Sequence, residues 1–256
     1  MLYRYTPDRK GRRPREHLKD FSGFLQADGY AGFDKLYVKG VDGTARITEV
    51  ACWAHVRRKF HDIYKATKGV KGGRPDGEQK TSASALAREA LEQIGALYDI
   101  ERDIRGRPPE ERARVRREKA LPVLDAFGDW CDRTLTRVSG KLALAGAIRY
   151  ARSRWAALVR YTGDGRLEID NNAAERAIRG VALGRKNWLF AGSDAGGERA
   201  ARIYSLIETC KLNAIDPQAY LADILARIAD HPVNRVCELL PWNWAQEQKP
   251  EAAEAA

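Results

Sequence analysis

The stretch Ala45–Ala66, ARITEVACWAHVRRKFHDIYKA, changes character halfway. Its first part reads as a strand. From Trp53 onward, Trp53, Val56, Phe60, Ile63 and Tyr64 recur at helical spacing, while Arg57, Arg58 and Lys59 share the other side. A strand passing directly into an amphipathic helix is the working unit of an α/β fold. The question is what surrounds it.

Upstream, LYRYT (Leu2–Thr6) is short, aromatic and β-prone, and Pro7 stops it, so it reads as a strand. PREHLKDF (Pro14–Phe21) suits a short helix with proline in its first turn. GFLQADGYAGF (Gly23–Phe33) reads as a buried strand entering a turn at Asp28-Gly29. Downstream, TKGVKGGRPDGEQK (Thr67–Lys80) has glycine and charge but almost no bulky apolar residue, which marks a linker or loop. From Thr81 to about Arg160 the periodicity is helical throughout. One stripe is Leu86, Ala90, Ile94 and Leu97, another is Leu121, Leu124, Phe127 and Cys131, and LALAGAIRYARSRWAALVRY (Leu142–Tyr161) supplies a third.

TGDGRLEIDNN (Thr162–Asn172) breaks the helices. NWLFAGSDAGGERAARIYSLIETCKL (Asn187–Leu212) then predicts an extended piece, a glycine-rich turn and a helix. DPQAYLADILARIADHPVNRVCELLPWNW (Asp216–Trp244) predicts one amphipathic helix, capped by Asp216 with Pro217 in first position. The expected fold is therefore α/β, with a core interrupted by an all-α insertion. The segments are 1–66 (first part of the core), 67–160 (linker and insertion), 161–203 (return to the core), 204–247 (C-terminal element) and 248–256 (disordered tail).

The chain has 256 residues, enough for a proper core, and a formal charge of +10. That balance suits a polyanionic partner, nucleic acid above all. The four cysteines are scattered, with no C-x-x-C pair, so neither a disulfide framework nor a zinc ribbon is expected. No run approaches the roughly 20 apolar residues of a membrane span. The N-terminal residues lack the apolar centre of an export signal. A cytoplasmic, nucleoid-associated location and no membrane partner are expected.

Two carboxylates carry the chemical question. Asp28 stands at the end of an apolar strand, where metal ligands often sit, although Asp-Gly is also a common turn pair. Glu175 lies in EIDNNAAERAIRG (Glu168–Gly180). Asn172 and Glu175 fit the spacing of a capping box, which leaves Arg176 and Arg179 unexplained. A metal-binding carboxylate beside Asn and Arg groups that hold phosphate uses all of them at once. Cys52 and His55 have C-x-x-H spacing, but zinc would need two more ligands and only His61 is near, so a buried Cys beside a packed His is the favoured reading. FAGSDAGGERAA (Phe190–Ala201) has glycines ahead of a helix yet lacks the Lys-Ser/Thr of a P-loop.

LQADGYAGFDKLY (Leu25–Tyr37), CWAHVRRKFHDIYKA (Cys52–Ala66), NNAAERAIRGVALGRKNWLFAGSDAGGERAARIYSLIETCKLN (Asn171–Asn213) and ELLPWNW (Glu238–Trp244) together resemble bacterial transposases of the insertion-sequence sixty-six family, members of the DDE class. The resemblance spans nearly the whole chain and is weakest in the helical block. It implies a ribonuclease-H-like core in which two Asp and one Glu hold two divalent ions, Mg²⁺ or Mn²⁺. Two such ions, about 3.5–4 Å apart, drive in-line phosphoryl transfer. The second Asp carries over to Asp28 and the Glu to Glu175.

Asn171 and Asn172 would orient Glu175 or touch DNA, and Arg176, Arg179, Arg185, Lys186, Arg57 and Arg58 would grip phosphates. The resemblance also implies a helical insertion and a C-terminal element at about Tyr204–Trp244. A homo-oligomer on DNA and accessory proteins of the same element are the expected partners. Only 27 residues precede Asp28, and they hold one predicted strand and one predicted helix. The first catalytic Asp and the first two strands of the sheet are therefore expected to be missing, and the chain alone to be inactive. The alternative expectation is a basic DNA-binding remnant without turnover.

Overall fold

The structure, a computed structural model, describes residues 1–40, 43–67, 75–184 and 191–247. It is mostly helical, with one small parallel sheet. Its elements are α1 (Arg12–His17), β1 (Gly23–Ala27), β2 (Ile47–Ala51), α2 (Trp53–Thr67), α3 (Pro75–Asp103), α4 (Pro109–Val115), α5 (Leu121–Arg137), α6 (Ala143–Ser153), α7 (Trp155–Val159), α8 (Asn172–Gly184), α9 (Asp194–Leu212), α10 (Pro217–Arg227) and α11 (Pro241–Glu247). Contacts divide the chain into two units, Lys10–Glu175 and Met1–Arg9 with Arg176–Ala256. The boundary falls inside α8, after Glu175.

In the larger unit β1 and β2 pair in parallel, in register from Gly23 opposite Ile47 to Ala27 opposite Ala51. Two parallel strands end on the same edge, so Asp28 and Cys52 each follow a strand at one rim of the sheet. The α/β character is present in this small form. β1 is less buried than its sequence predicts, with Gly23 and Phe24 exposed and only Ala27 buried.

The strand-to-helix reading of Ala45–Ala66 matches β2 and α2. Trp53, Val56 and Phe60 are fully buried, and they meet Ala90, Ile94 and Leu97 of α3, Leu124, Phe127 and Cys131 of α5, and Leu144 and Ile148 of α6 in one core. Aromatic rings fill its centre. Phe127 stacks on Trp130 with centroids 5.6 Å apart and planes 9° apart, and Trp53 meets Trp155 edge-on. The Trp53 indole N–H donates to the Leu158 carbonyl at 2.9 Å, which satisfies its one polar atom. Between residues 75 and 160 the described residues form helices and turns with no strand, and α2 shares their core. The linker is shorter than predicted, because α3 already starts at Pro75, a residue suited to the first helical turn.

A π-helical turn, Arg116–Ala120, joins α4 to α5 and buries an ion pair that the stripes did not reveal. Arg116, with no exposed surface, donates two hydrogen bonds to Glu101, at 2.8 and 2.7 Å. Its remaining donors reach the carbonyls of Tyr161 and Asp164.

The smaller unit corrects two expectations. Leu2–Thr6 is not a strand. No strand pairs with it among the described residues; instead the Tyr3 amide donates to the Ser205 hydroxyl, the Tyr3 hydroxyl to the Ala177 carbonyl and the Tyr5 hydroxyl to Asp194. Asp216 does cap α10, accepting from the Gln218 amide, but the helix stops at Arg227. Pro232 follows, a 3₁₀ segment spans Val233–Leu239 and α11 begins at Pro241. Each proline lacks the N–H that one continuous helix would need. Tyr220, Ile224, Cys210, Ile215 and Leu239 form this unit's own core, with the Tyr220 hydroxyl bonded to the Leu239 carbonyl.

Ser193 caps α9 by accepting from the Gly196 amide. A Cβ on Gly196 would lie 2.0 Å from the Ala191 carbonyl oxygen, and one on Gly197 would enter the Tyr5 ring, so packing accounts for both glycines without a phosphate. The predicted extended piece at 187–190 and the tail 248–256 lie outside the described residues.

Candidate active site

Glu175 sits on the first turn of α8, but it does not close a capping box with Asn172. Asn172 is already helical, and the Glu175 amide bonds to the Asn171 carbonyl. Asp170 does the capping: its carboxylate accepts from the Asn172 amide at 3.0 Å and from the Asn172 side chain at 2.7 Å. Tyr98 of α3 donates to the same carboxylate at 3.0 Å, and burial, followed by the nearby Asp170 charge, pushes the Tyr98 hydroxyl pKa far up. Neither Asp170 nor Tyr98 was predicted as part of the site, although a second Asp ahead of the asparagines was the available signal.

The Glu175 carboxylate is thus left to face His55 of α2, with Oε1 3.5 Å from Nε2. Cys52 completes the group, and the ligand atoms of Cys52, His55 and Glu175 all lie within 4.8 Å of one another. Cys52 is buried and stands one residue ahead of α2, where a Ser or Asp cap is more usual. Its sulfur accepts from the Asn171 amide at 3.4 Å, and its carbonyl accepts from the His55 amide at 3.3 Å. Burial raises the thiol pKa, and the neighbouring amides of Asn171, His55 and Ala54 oppose the rise. Two polar atoms here are buried without a hydrogen-bond partner, the Asn171 amide oxygen and Nδ1 of His55.

Asp28 lies on the same sheet rim as Cys52. Its carboxylate accepts from the Tyr30 amide at 3.1 Å, which is the turn chemistry of an Asx residue. Tyr150 of α6 and Arg154, just after that helix, reach across to hold this turn. The Tyr150 hydroxyl lies 3.4 Å from the Asp28 carbonyl, and Arg154 donates to the Gly29 carbonyl at 3.2 Å and to Glu49 of β2 at 2.7 Å. Burial raises the Tyr150 pKa and Arg154 opposes the rise. Among the described residues, no group of three acidic, His or Cys donors within 4.8 Å includes Asp28.

Arg57, Arg58 and Asn172 line one cleft of about 600 Å³ with His61, Arg102 and Asp99, the last two paired with each other. Three of the residues expected to meet DNA thus come together. Arg176 and Arg179 are exposed on α8 in the smaller unit. Arg185 and Lys186 lie outside the described residues.

The sequence model described as Transposase IS66 family matches residues 1–199, and that of the IS66 C-terminal element matches residues 205–242. The chain belongs to the IS66 transposase family. This IS66-family chain is 43% identical over 243 residues to protein y4hP of Sinorhizobium fredii, an alignment covering 95% of the chain and 43% of that relative. It is 38% identical over 255 residues to protein y4qI of the same species, covering 98% of the chain and 44% of the relative. Protein YuaK of Escherichia coli is 45% identical over 50 residues, which is 20% of the chain and 53% of YuaK. The chain spans less than half the length of the two Sinorhizobium relatives. No solved structure matches it. No helix among the described residues is long and apolar enough to cross a membrane.

Proposed function

We propose that this chain carries part of a DNA transposase that cleaves and joins insertion-sequence DNA by phosphoryl transfer. Family membership carries the reading. The basic cleft of Arg57, Arg58 and Asn172, beside the helix that bears Glu175, supports it. In this reading the core is ribonuclease-H-like, β1 and β2 are neighbouring strands of its mixed sheet, and residues 67–160 are the linker and inserted helices. The protein works in the bacterial cytoplasm, as a homo-oligomer on DNA, with accessory proteins of the element as further partners.

Arg57 and Arg58, exposed on α2, bind backbone phosphates, and Arg176 and Arg179 do so from α8. Asn172, locked to Asp170, fixes the start of α8 and hence the position of Glu175. Tyr150 and Arg154 hold the Asp28 turn.

Mg²⁺ or Mn²⁺ held by Asp28 and Glu175 belongs to the same reading. The donor set does not fit it well. Mg²⁺ takes oxygen ligands in octahedral array, whereas the groups beside Glu175 are a thiol and an imidazole.

The test is duplex-DNA binding by fluorescence anisotropy across a salt series. Replacing Arg57 and Arg58 by Ala should weaken binding and flatten the log–log slope by about 0.9 for each phosphate that is no longer neutralised. An unchanged slope would place the DNA on another face. Turnover separates the enzyme from a basic DNA-binding remnant. With end-bearing DNA and Mg²⁺, strand joining in a protein extended to the full length of its relatives should vanish in Glu175→Gln while DNA binding persists. Binding with no Glu175-dependent joining is the remnant's signature.

A further inference from the structure

We infer that Cys52, His55 and Glu175 form a binding site for a transition-metal ion of the zinc class, distinct in its donors from a magnesium site. The inference rests on the geometry of these side chains and not on transposition.

The first argument is distance. Zinc binds thiolate sulfur at about 2.3 Å, imidazole nitrogen at about 2.0–2.1 Å and carboxylate oxygen at about 2.0–2.2 Å, so tetrahedral donors stand roughly 3.3–3.7 Å apart. His55 Nε2 and Glu175 Oε1 already stand 3.5 Å apart. That separation is long for a hydrogen bond and right for two ligands of one ion. The sulfur lies within 4.8 Å of both, so a shift of about 1 Å in one side chain closes the set.

The second argument is what surrounds the donors. The Asn171 amide donates to the sulfur at 3.4 Å, and Cys52 stands immediately ahead of α2, so the sulfur lies at a helix N-terminus. The α2 helix runs for 15 residues behind it. His55 turns Nε2 toward the Glu175 carboxylate, and its other ring nitrogen, Nδ1, is buried without a hydrogen-bond partner. The buried, unpartnered Asn171 oxygen belongs to the residue whose amide touches the sulfur.

The third argument is chemistry. Thiolate and imidazole favour zinc, cobalt and copper over magnesium and calcium. Three protein ligands with one position open is the pattern of a reactive rather than a closed structural zinc site.

The experiment uses the whole chain, reduced and free of oxygen, titrated with Co²⁺ and followed by absorption. One Co²⁺ per chain should bind, with a thiolate-to-cobalt charge-transfer band. Zn²⁺ should displace it, and a large excess of Mg²⁺ should not. Cys52→Ser should abolish the band, and His55→Gln, which leaves the cysteine in place, should weaken Co²⁺ by at least about 100-fold, as loss of a ligand outweighs the 10–100-fold cost of losing a supporting residue. Far-UV circular dichroism confirms that the variants are folded. The inference fails if Co²⁺ binds without the band, if Mg²⁺ displaces it, or if His55→Gln binds as tightly as the parent. A chain that passes this test and yet binds no DNA would sink the transposase reading alone. A chain that binds DNA through Arg57 and Arg58 but takes up no Co²⁺ would sink only the zinc site.

Discussion

At Gly29 the backbone takes φ +79°, and a Cβ there would lie 2.9 Å from the Arg154 guanidinium carbon and 3.1 Å from the Tyr150 hydroxyl. Two separate penalties meet at the residue next to Asp28. Gly106 isolates one of them, since its φ is +77° but nothing lies within 4 Å of its Cβ position. Gly106→Ala should cost about 1 kcal/mol, the penalty of left-handed backbone in an L-residue. Gly29→Ala should cost clearly more, about 2–3 kcal/mol, because Arg154 must also give up its place on the Gly29 carbonyl and Glu49. Urea midpoints at unchanged m-value check the pair. Equal losses would mean that Arg154 moves aside without cost and that the Asp28 turn is not clamped.

Helix ends show which parts of the fold could be read in advance. The α9 helix closes in a Schellman arrangement: the Ala214 amide bonds to the Lys211 carbonyl at 3.3 Å and the Ile215 amide to the Cys210 carbonyl at 2.9 Å. Ala214 holds the left-handed position, with φ 55°, where glycine is the usual residue. Ala214→Gly should therefore stabilise the smaller unit by roughly 0.5–1 kcal/mol, after the extra freedom glycine has in the unfolded chain is counted. A lower thermal midpoint would show that the strain is relieved elsewhere. The period change at Ala45–Ala66 and the stripes of α3, α5 and α6 were legible, because burial of one helix face leaves a periodic trace. So was the Asp216 cap. Leu2–Thr6 was not, because a strand is defined by a partner and the local aromatic pattern carries no information about one. The capping box at Asn172 misled because Asp170 competes for the same amide, and the spacing rule cannot rank two caps. Cys52 and His55 were visible at C-x-x-H spacing, but the third member of their group is remote in sequence, and only the fold brings it there.

The larger unit is held across its length by charge as well as by rings. Arg116 ties Glu101 of α3 to the carbonyls of Tyr161 and Asp164, and Arg112 of α4 approaches the same glutamate at 3.7 Å. Glu101→Gln keeps the shape but strands the Arg116 charge in the core. The loss should be about 3–5 kcal/mol, while Glu101→Leu with Arg116→Met should recover most of it. A double variant no better than the single would show that the bonds to Tyr161 and Asp164, not the ion pair, fasten the unit. The same long-range assembly bears on the cysteine that stands just ahead of α2. Asn171, whose amide covers the Cys52 sulfur, follows it by 119 positions. At roughly 5–20 residues per second, a ribosome needs on the order of 6–24 s to add them. Throughout that interval the nascent chain displays the thiol without the Asn171 amide and without Glu175. The cysteine therefore meets the metals and oxidants of the cell before the pocket that encloses it has been made.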